Sequence, residues 1–214
     1  MNRNILGLLR VALLGVALSA ASAAQAQIPP PPLIKTYNVN TTADLIDDNV
    51  NDDVCHTSTS TCSLRAAIMQ ANHVSASGAI FNIVVPGGIY RLTRLPSVDD
   101  GEDSGDLNLT EPLAANQLVK IVSAGAARTI IDGNHSDRVL DIDRGCTVTI
   151  DGVAIRNGYV STSAGAGIHL YVGTLSITDS VIEGNYSGLG AGGISNVVGV
   201  LNVTRSTIRS NVWA

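Results

Sequence analysis

Three stretches of the chain repeat one pattern of alternating apolar residues. The first is Thr147-Val148-Thr149-Ile150-Asp151-Gly152-Val153-Ala154-Ile155-Arg156-Asn157. Thr174-Leu175-Ser176-Ile177-Thr178-Asp179-Ser180-Val181-Ile182-Glu183-Gly184-Asn185 is the second, and Val200-Leu201-Asn202-Val203-Thr204-Arg205-Ser206-Thr207-Ile208-Arg209-Ser210-Asn211 the third. Ile155, Ile182 and Ile208 hold the same place in each copy, 27 and 26 residues apart. Gly165-Ala166-Gly167-Ile168 and Gly190-Ala191-Gly192-Gly193-Ile194 precede the second and third copies, with Ile168 and Ile194 again 26 apart. Each unit holds three short β segments and cannot bury its own apolar face. Stacked units bury it continuously, with backbone ladders between neighbours. Leucine-rich repeats reach this length but lack the three-segment pattern. The expected fold class is therefore all-β, a right-handed parallel β-helix (solenoid), with coils about 4.8 Å apart. Asn185 and Asn211 are expected to stack at one corner, where asparagine bonds its own turn and its neighbour.

Composition narrows the function. Charged residues make up 14% of the chain, about half the usual share. Lys and Arg total 13 against 18 Asp and Glu, a formal charge of −5. A nucleic-acid groove needs basic residues in excess, and so does a lysine-rich membrane-binding face. Aromatics are 3%, which disfavours an aromatic-lined pocket.

The N-terminus reads as an export signal. Arg3 and Arg10 bracket the start of an apolar run through Leu18, and small residues lead to Ala24-Gln25-Ala26. The run is too short to cross a hydrocarbon core of about 30 Å. Residues 1–26 are thus expected to be a signal peptide, with the mature chain starting at Gln27. Losing two arginines takes the formal charge from −5 to about −7. Residues 27–36, with Pro29 to Pro32, read as a polyproline spacer.

Residues 37–116 read as an N-terminal module with the first coils, and residues 117–214 as the repeats. Tyr37-Asn38-Val39-Asn40 is a short strand. Asp44, Asp47, Asp48, Asp52 and Asp53 then crowd one loop. Two readings stand: a solvated acidic loop, or a Ca²⁺ site, because Ca²⁺ takes six to eight oxygens. The spacing lacks the regularity of an EF-hand. Val98 to Asp106 is a second acidic loop with the same two readings. In an exported chain, Cys55 and Cys62 on a Ser/Thr loop read as a disulfide. Ser63 is a good N-cap, and Leu64 to Asn72 is the best helical stretch, with Leu64, Ile68 and Ala71 on one face. One such helix before a run of strands reads as a cap over the end of a β-stack.

These residues resemble a known family. Tyr37-Asn38-Val39-Asn40-Thr41-Thr42-Ala43-Asp44, Cys55 and Cys62-Ser63-Leu64-Arg65-Ala66-Ala67-Ile68-Met69-Gln70-Ala71-Asn72 are similar to the CSLREA-type domain of exported bacterial proteins. Ala66 replaces the Glu of that signature, so no role of that carboxylate carries over. Thr129-Ile130-Ile131-Asp132-Gly133 and the Gly-Gly-Ile units resemble the right-handed β-helix that follows it. Ile182-Glu183-Gly184-Asn185 and Ile208-Arg209-Ser210-Asn211 are similar to polymorphic outer-membrane protein repeats, with Ile in place of Phe. The resemblance spans about residues 36–212 and implies a secreted or cell-surface location, not a reaction.

Fold alone does not choose between a stalk, an adhesin and a polysaccharide lyase or hydrolase. Aligning Leu140, Ile168 and Ile194 as inward residues puts Asp141, His169 and Ser195 in one outward column. The types match a Ser-His-Asp triad, but neighbouring rungs hold side chains in parallel, and no nucleophile elbow accompanies them. The column reads as solvated polar surface. Asp132, Asp151 and Asp179 lie at turns, with Arg138, Arg144 and Arg156 as ion-pair partners. Cys146 is unpaired. The expected function is an exported structural or adhesive β-helix segment without chemistry of its own, binding glycans or surface proteins. A carbohydrate-active β-helix enzyme is the alternative. No cofactor is expected beyond the possible Ca²⁺. The last copy ends at Trp213-Ala214 without a cap, so further coils or another chain are expected there.

Overall fold

The structure is a computed structural model, described for residues 31–74, 78–97, 101–110, 117–123, 125–143 and 145–214. The segment read as a signal peptide lies outside the described residues. Pro32–Ala214 forms one compact unit. Among the described residues it is mostly β, with parallel strand pairing and one helix, α1 (Leu64–His73).

Four sheets receive the chain in turn. The first has six strands in the order Ile34–Asn38, Ile80–Val85, Leu118–Ser123, Thr147–Asp151, Thr174–Thr178, Val200–Thr204. The second runs Gly88–Arg91, Thr129–Asp132, Ala154–Arg156, Val181–Glu183, Thr207–Arg209. The third runs Leu107–Leu109, Leu140–Ile142, Ile168–Leu170, Ile194–Asn196. A small fourth sheet, of Tyr159–Val160, Tyr186–Ser187 and Val212–Trp213, lies between second and third along the chain. These last strands are two residues each, too short for any periodicity to reveal them.

Register follows the repeat spacing. Ile155 pairs with Ile182 and Ile182 with Ile208. Leu140, Ile168 and Ile194 form another row, and Ile150, Ile177 and Val203 a third. Period-2 alternation turns these rows inward. Ile150, Ile155, Ile168, Ile177 and Ile182 are fully buried. The polar residues between them face outward.

Two corners repeat with left-handed backbone. Gly152, Asp179 and Arg205 have φ of 70°, 48° and 47° after successive strands of the first sheet. Asn157, Gly184 and Ser210 have φ of 56°, 64° and 53° after the second. Asn185 and Asn211 follow the latter corner and do stack. Asn185 Nδ2 donates to Asn211 Oδ1 at 2.9 Å and to the Ile155 carbonyl at 3.3 Å. Its Oδ1 accepts from Gly158 N at 2.8 Å, and Asn211 Nδ2 donates to the Ile182 carbonyl at 2.9 Å. Backbone groups that the sharp corner leaves without ladder partners are thus satisfied by side chains.

Asp132 holds the same corner one rung earlier. Burial would raise its pKa. The Asn134 amide and the Asn157 and Arg156 side chains outweigh that, and the net shift is downward. A carboxylate depressed in the folded state contributes stability above its unfolded pKa and loses it as pH falls through the folded value. The urea midpoint of the wild type should therefore drop from about pH 4 towards pH 2 by more than that of Asp132→Asn. Equal drops would remove Asp132 as the cause.

Two sequence expectations change. The first strand starts at Ile34, inside the stretch read as spacer, because Ile80–Val84 offers Ile34–Asn38 a ladder partner. The helix is buried beyond the one apolar face of Leu64, Ile68 and Ala71. Every residue from Leu64 to Asn72 is buried, including Arg65, Gln70 and Asn72. Ser63 caps it as expected, its hydroxyl accepting from Ala66 N at 3.0 Å. The helix packs against Ile80–Val85 and Leu107–Leu109. Flanking loops bond its polar residues, so hydrophobic periodicity reported only the sheet-facing side.

Candidate functional site

The polar column of the third sheet has the register the sequence implies. His169 pairs with Asp141 on one side and Ser195 on the other. His169 Nδ1 lies 3.0 Å from Asp141 Oδ1. The other carboxylate oxygen, Oδ2, accepts from Arg138 Nη1 at 2.7 Å. Arg138 Nη1 also lies 3.4 Å from Oδ2 of the fully buried Asp106. Its Nε donates to the Gly165 carbonyl at 3.1 Å and its Nη2 to Ser163 Oγ at 3.2 Å. The His169 ring lies nearly parallel to Tyr171, centroids 6.4 Å apart.

The chemistry of this column is that of a charge chain, Asp106–Arg138–Asp141–His169. Asp141 orients the imidazole, and in the neutral ring Nδ1–H donates to it while Nε2 keeps its lone pair. A hydrolytic triad needs that lone pair to receive a serine proton. Among the described residues, no hydrogen bond joins Ser195 to His169. Arg138 holds the other oxygen of Asp141, so the carboxylate is shared between the guanidinium and the imidazole. Along the chain of charges Asp106 and Arg138 are buried, while Asp141 and His169 are partly exposed.

The five loop aspartates take separate partners. Asp44 is bound to Arg65 Nε at 2.7 Å and accepts from Thr93 N and Arg94 N at 2.7 and 3.0 Å. Asp48 pairs with His56 Nδ1 at 2.8 Å, and Asp53 with Lys35 Nζ at 2.7 Å. Only Asp47 and Asp52 meet a common group, the Gln70 amide. Asp44, Asp48 and Asp53 therefore do not converge with them. Among the described residues, no three His, Cys, Asp or Glu side chains come together as a metal site. Of the second acidic loop, residues 98–100 lie outside the described residues. Glu102 bonds Asn72 Nδ2 at 2.9 Å and His73 Nε2 at 2.5 Å.

Cys55 and Cys62 form a disulfide. Cys146 is buried outside the disulfide, its thiol 3.3 Å from the Leu109 carbonyl. Asp179 pairs with Arg205, and Arg156 with Asp132.

Sequence reasoning missed Arg65 and Gln70. Both are fully buried polar side chains on a helix whose apolar face drew the attention. The signal present was a long polar residue on each side of the Leu64–Ile68–Ala71 stripe, close in sequence to a dense run of carboxylates. Searches for a matching family model, a related curated protein and a similar solved structure found none.

Proposed function

We propose that the chain is an exported structural or adhesive segment, a right-handed parallel β-helix capped by α1, with no chemistry of its own. The observation that carries this reading is the register: successive units pair in parallel with their repeat positions aligned across three sheets. Parallel strands of one sheet joined by crossovers are right-handed in nearly all proteins, which supports the hand. The outward polar residues of the third sheet are engaged with one another, which favours a scaffold over a reaction centre. Stacked rungs offer long faces to extended partners. Tyr159 and Tyr186 stack with centroids 5.4 Å apart. Tyr159 borders a groove of about 280 Å³ lined by Ser136, Arg138, Ser161 and Ser163. An aromatic face beside hydroxyl and guanidinium donors suits a glycan, and we take glycans as the partner class. The export pattern read in residues 1–26 and the resemblance support the location we propose, secreted or on a bacterial cell surface.

The rival reading, a carbohydrate-active enzyme, rests on the Asp141–His169 pair. One assay separates the two. Purified protein is incubated with insoluble neutral and acidic polysaccharides, and retention on the pellet and new reducing ends are measured together. Retention that falls in Tyr159→Ala, with reducing ends at the blank level, is the expected result. Turnover abolished by His169→Asn would overturn the non-catalytic reading. Absence of retention on every polysaccharide would remove glycans as partners.

A further inference from the structure

Tyr159 sits between an aromatic neighbour and a groove. Its register partner is Tyr186, the two rings within 10° of parallel and their centroids 5.4 Å apart. On the other side its amide donates to the Asp137 carbonyl at 2.8 Å, so the neighbouring rung there is the Ser136–Arg138 segment. The groove of about 280 Å³ is lined by Tyr159 and that segment. Tyr159 remains 40% exposed. One face of the ring is thus taken by Tyr186, and the face towards the groove is the one a ligand meets.

The guanidinium at this groove is fully engaged. Arg138 has five N–H groups, and five acceptors take them. Nε donates to the Gly165 carbonyl at 3.1 Å. Nη1 donates to Asp141 Oδ2 at 2.7 Å and to Asp106 Oδ2 at 3.4 Å. Nη2 donates to Ser163 Oγ at 3.2 Å and to the Ala164 carbonyl at 3.4 Å. Two carboxylates already face this one charge, and Asp137 brings a third to the groove. A carboxylate or sulfate on a ligand needs a guanidinium fork of its own to repay its desolvation. Here it meets like charge instead.

The hydroxyls keep capacity in both directions. Ser163 Oγ accepts from Arg138 and has its own hydrogen to donate. Arg138 therefore meets a ligand through the Ser163 hydroxyl that it holds. Ser136 Oγ donates to the Gly133 carbonyl at 3.2 Å and has lone pairs with which to accept. A sugar hydroxyl both donates and accepts, so it complements this pair. The C–H face of a sugar ring complements the electron-rich face of Tyr159.

We propose that, given glycans as the partner class, on which this inference rests, the Tyr159 groove selects uncharged ones. A neutral sugar stacks on the open face of Tyr159 and bonds the hydroxyls of Ser136 and Ser163, and acidic or sulfated sugars are refused. The volume is just below the roughly 300–1,000 Å³ of small-molecule sites, so the groove takes a chain end or a short segment.

The test passes the full protein over immobilised dextran, galactomannan and xyloglucan, and over dextran sulfate and polygalacturonate, at low and at high NaCl. Dextran and dextran sulfate share a backbone and differ in charge. Retention on at least one neutral polymer, unchanged by salt, and none on the acidic polymers is expected. Tyr159→Ala should weaken neutral retention by about tenfold or more. Tyr159→Phe keeps the ring face and should stay within about twofold of the wild type. Both change an exposed side chain, and an unchanged urea midpoint checks that they fold. Retention on the acidic polymers equal to or above that on the neutral ones, falling with salt, would overturn the selection and leave the glycan reading standing. Neutral retention that folded Tyr159→Ala leaves intact would overturn the groove as its site. No retention on any polymer would overturn the glycan reading itself.

Discussion

Replacing Arg65 with alanine is expected to lower the unfolding free energy by about 3–5 kcal/mol. The guanidinium is 1% exposed. Its Nε and Nη2 bind Asp44 at 2.7 and 3.3 Å. Nη1 donates to the carbonyls of Glu102, Ser104 and Asp106 at 3.1, 3.2 and 2.7 Å, and Nη2 to that of Gly105 at 2.7 Å. One side chain thus ties α1 to two loops that have few apolar residues of their own. Its removal strands the buried Asp44 carboxylate and several carbonyls, and a one-sided deletion of a buried pair is the costly kind. Lysine should not rescue the loss. Its three donors sit on one nitrogen, whereas these acceptors require a planar fork of five. Since whole domains are stable by about 5–15 kcal/mol, the variant should melt early or fail to accumulate. Urea unfolding of Arg65→Ala, Arg65→Lys and Asp44→Asn measures this. A change below about 1 kcal/mol in the alanine variant would mean the ion pair and its loops contribute no more than an exposed pair does.

Arg65 also shows where reading a sequence runs out. The repeat region was legible because its information is local: alternation fixes which side chains face inward, and equal spacing fixes which rows pair. Ile155, Ile182 and Ile208 align for that reason, and so do Asp141, His169 and Ser195. What the polar column does was not legible. Arg138 lies three residues before Asp141 in the chain, yet it turns the candidate triad into a charge chain through contacts that also reach Asp106 and Gly165. In the N-terminal module the contacts of the buried helix polar residues are non-local. Asp44 meets Arg65 from 21 residues away, and Gln70 meets Asp47 from 23. A helix scanned for apolar period yields Leu64, Ile68 and Ala71 and says nothing about what covers its polar residues. The five aspartates likewise looked equivalent as a run, and only the shared Gln70 amide distinguishes Asp47 and Asp52 from the rest.

The second large effect concerns one repeat position seen in two surroundings. Ile182 is fully buried, while Ile208, its register partner on the next strand, is 49% exposed. Ile182→Ala should cost about 2–5 kcal/mol, because a cavity remains where both neighbouring rungs are fixed by backbone ladders. Ile208→Ala removes the same atoms from a site open on one side. No enclosed cavity forms there, and the loss should stay below about 1 kcal/mol in the isolated chain. Val200, Val203, Val212 and Trp213 are exposed at the same end, from 41% for Val203 to 68% for Trp213. Of these end residues Val203, Ile208 and Trp213 continue rows that the preceding rung buries as Ile177, Ile182 and Ser187, and they meet solvent here, beside strands whose outer edges have no ladder partner among the described residues. The comparison is a burial meter for that end. If chemical denaturation gives the two substitutions similar costs, Ile208 is covered in solution, and light scattering then says whether a second copy covers it. If Ile208→Ala is nearly silent while Ile182→Ala is severe, the end stands open. Restoring the Ile208 cost by adding a binding partner would then identify what closes it. In a stack whose stability comes from neighbour contacts, the cost of one isoleucine measures how many neighbours it has.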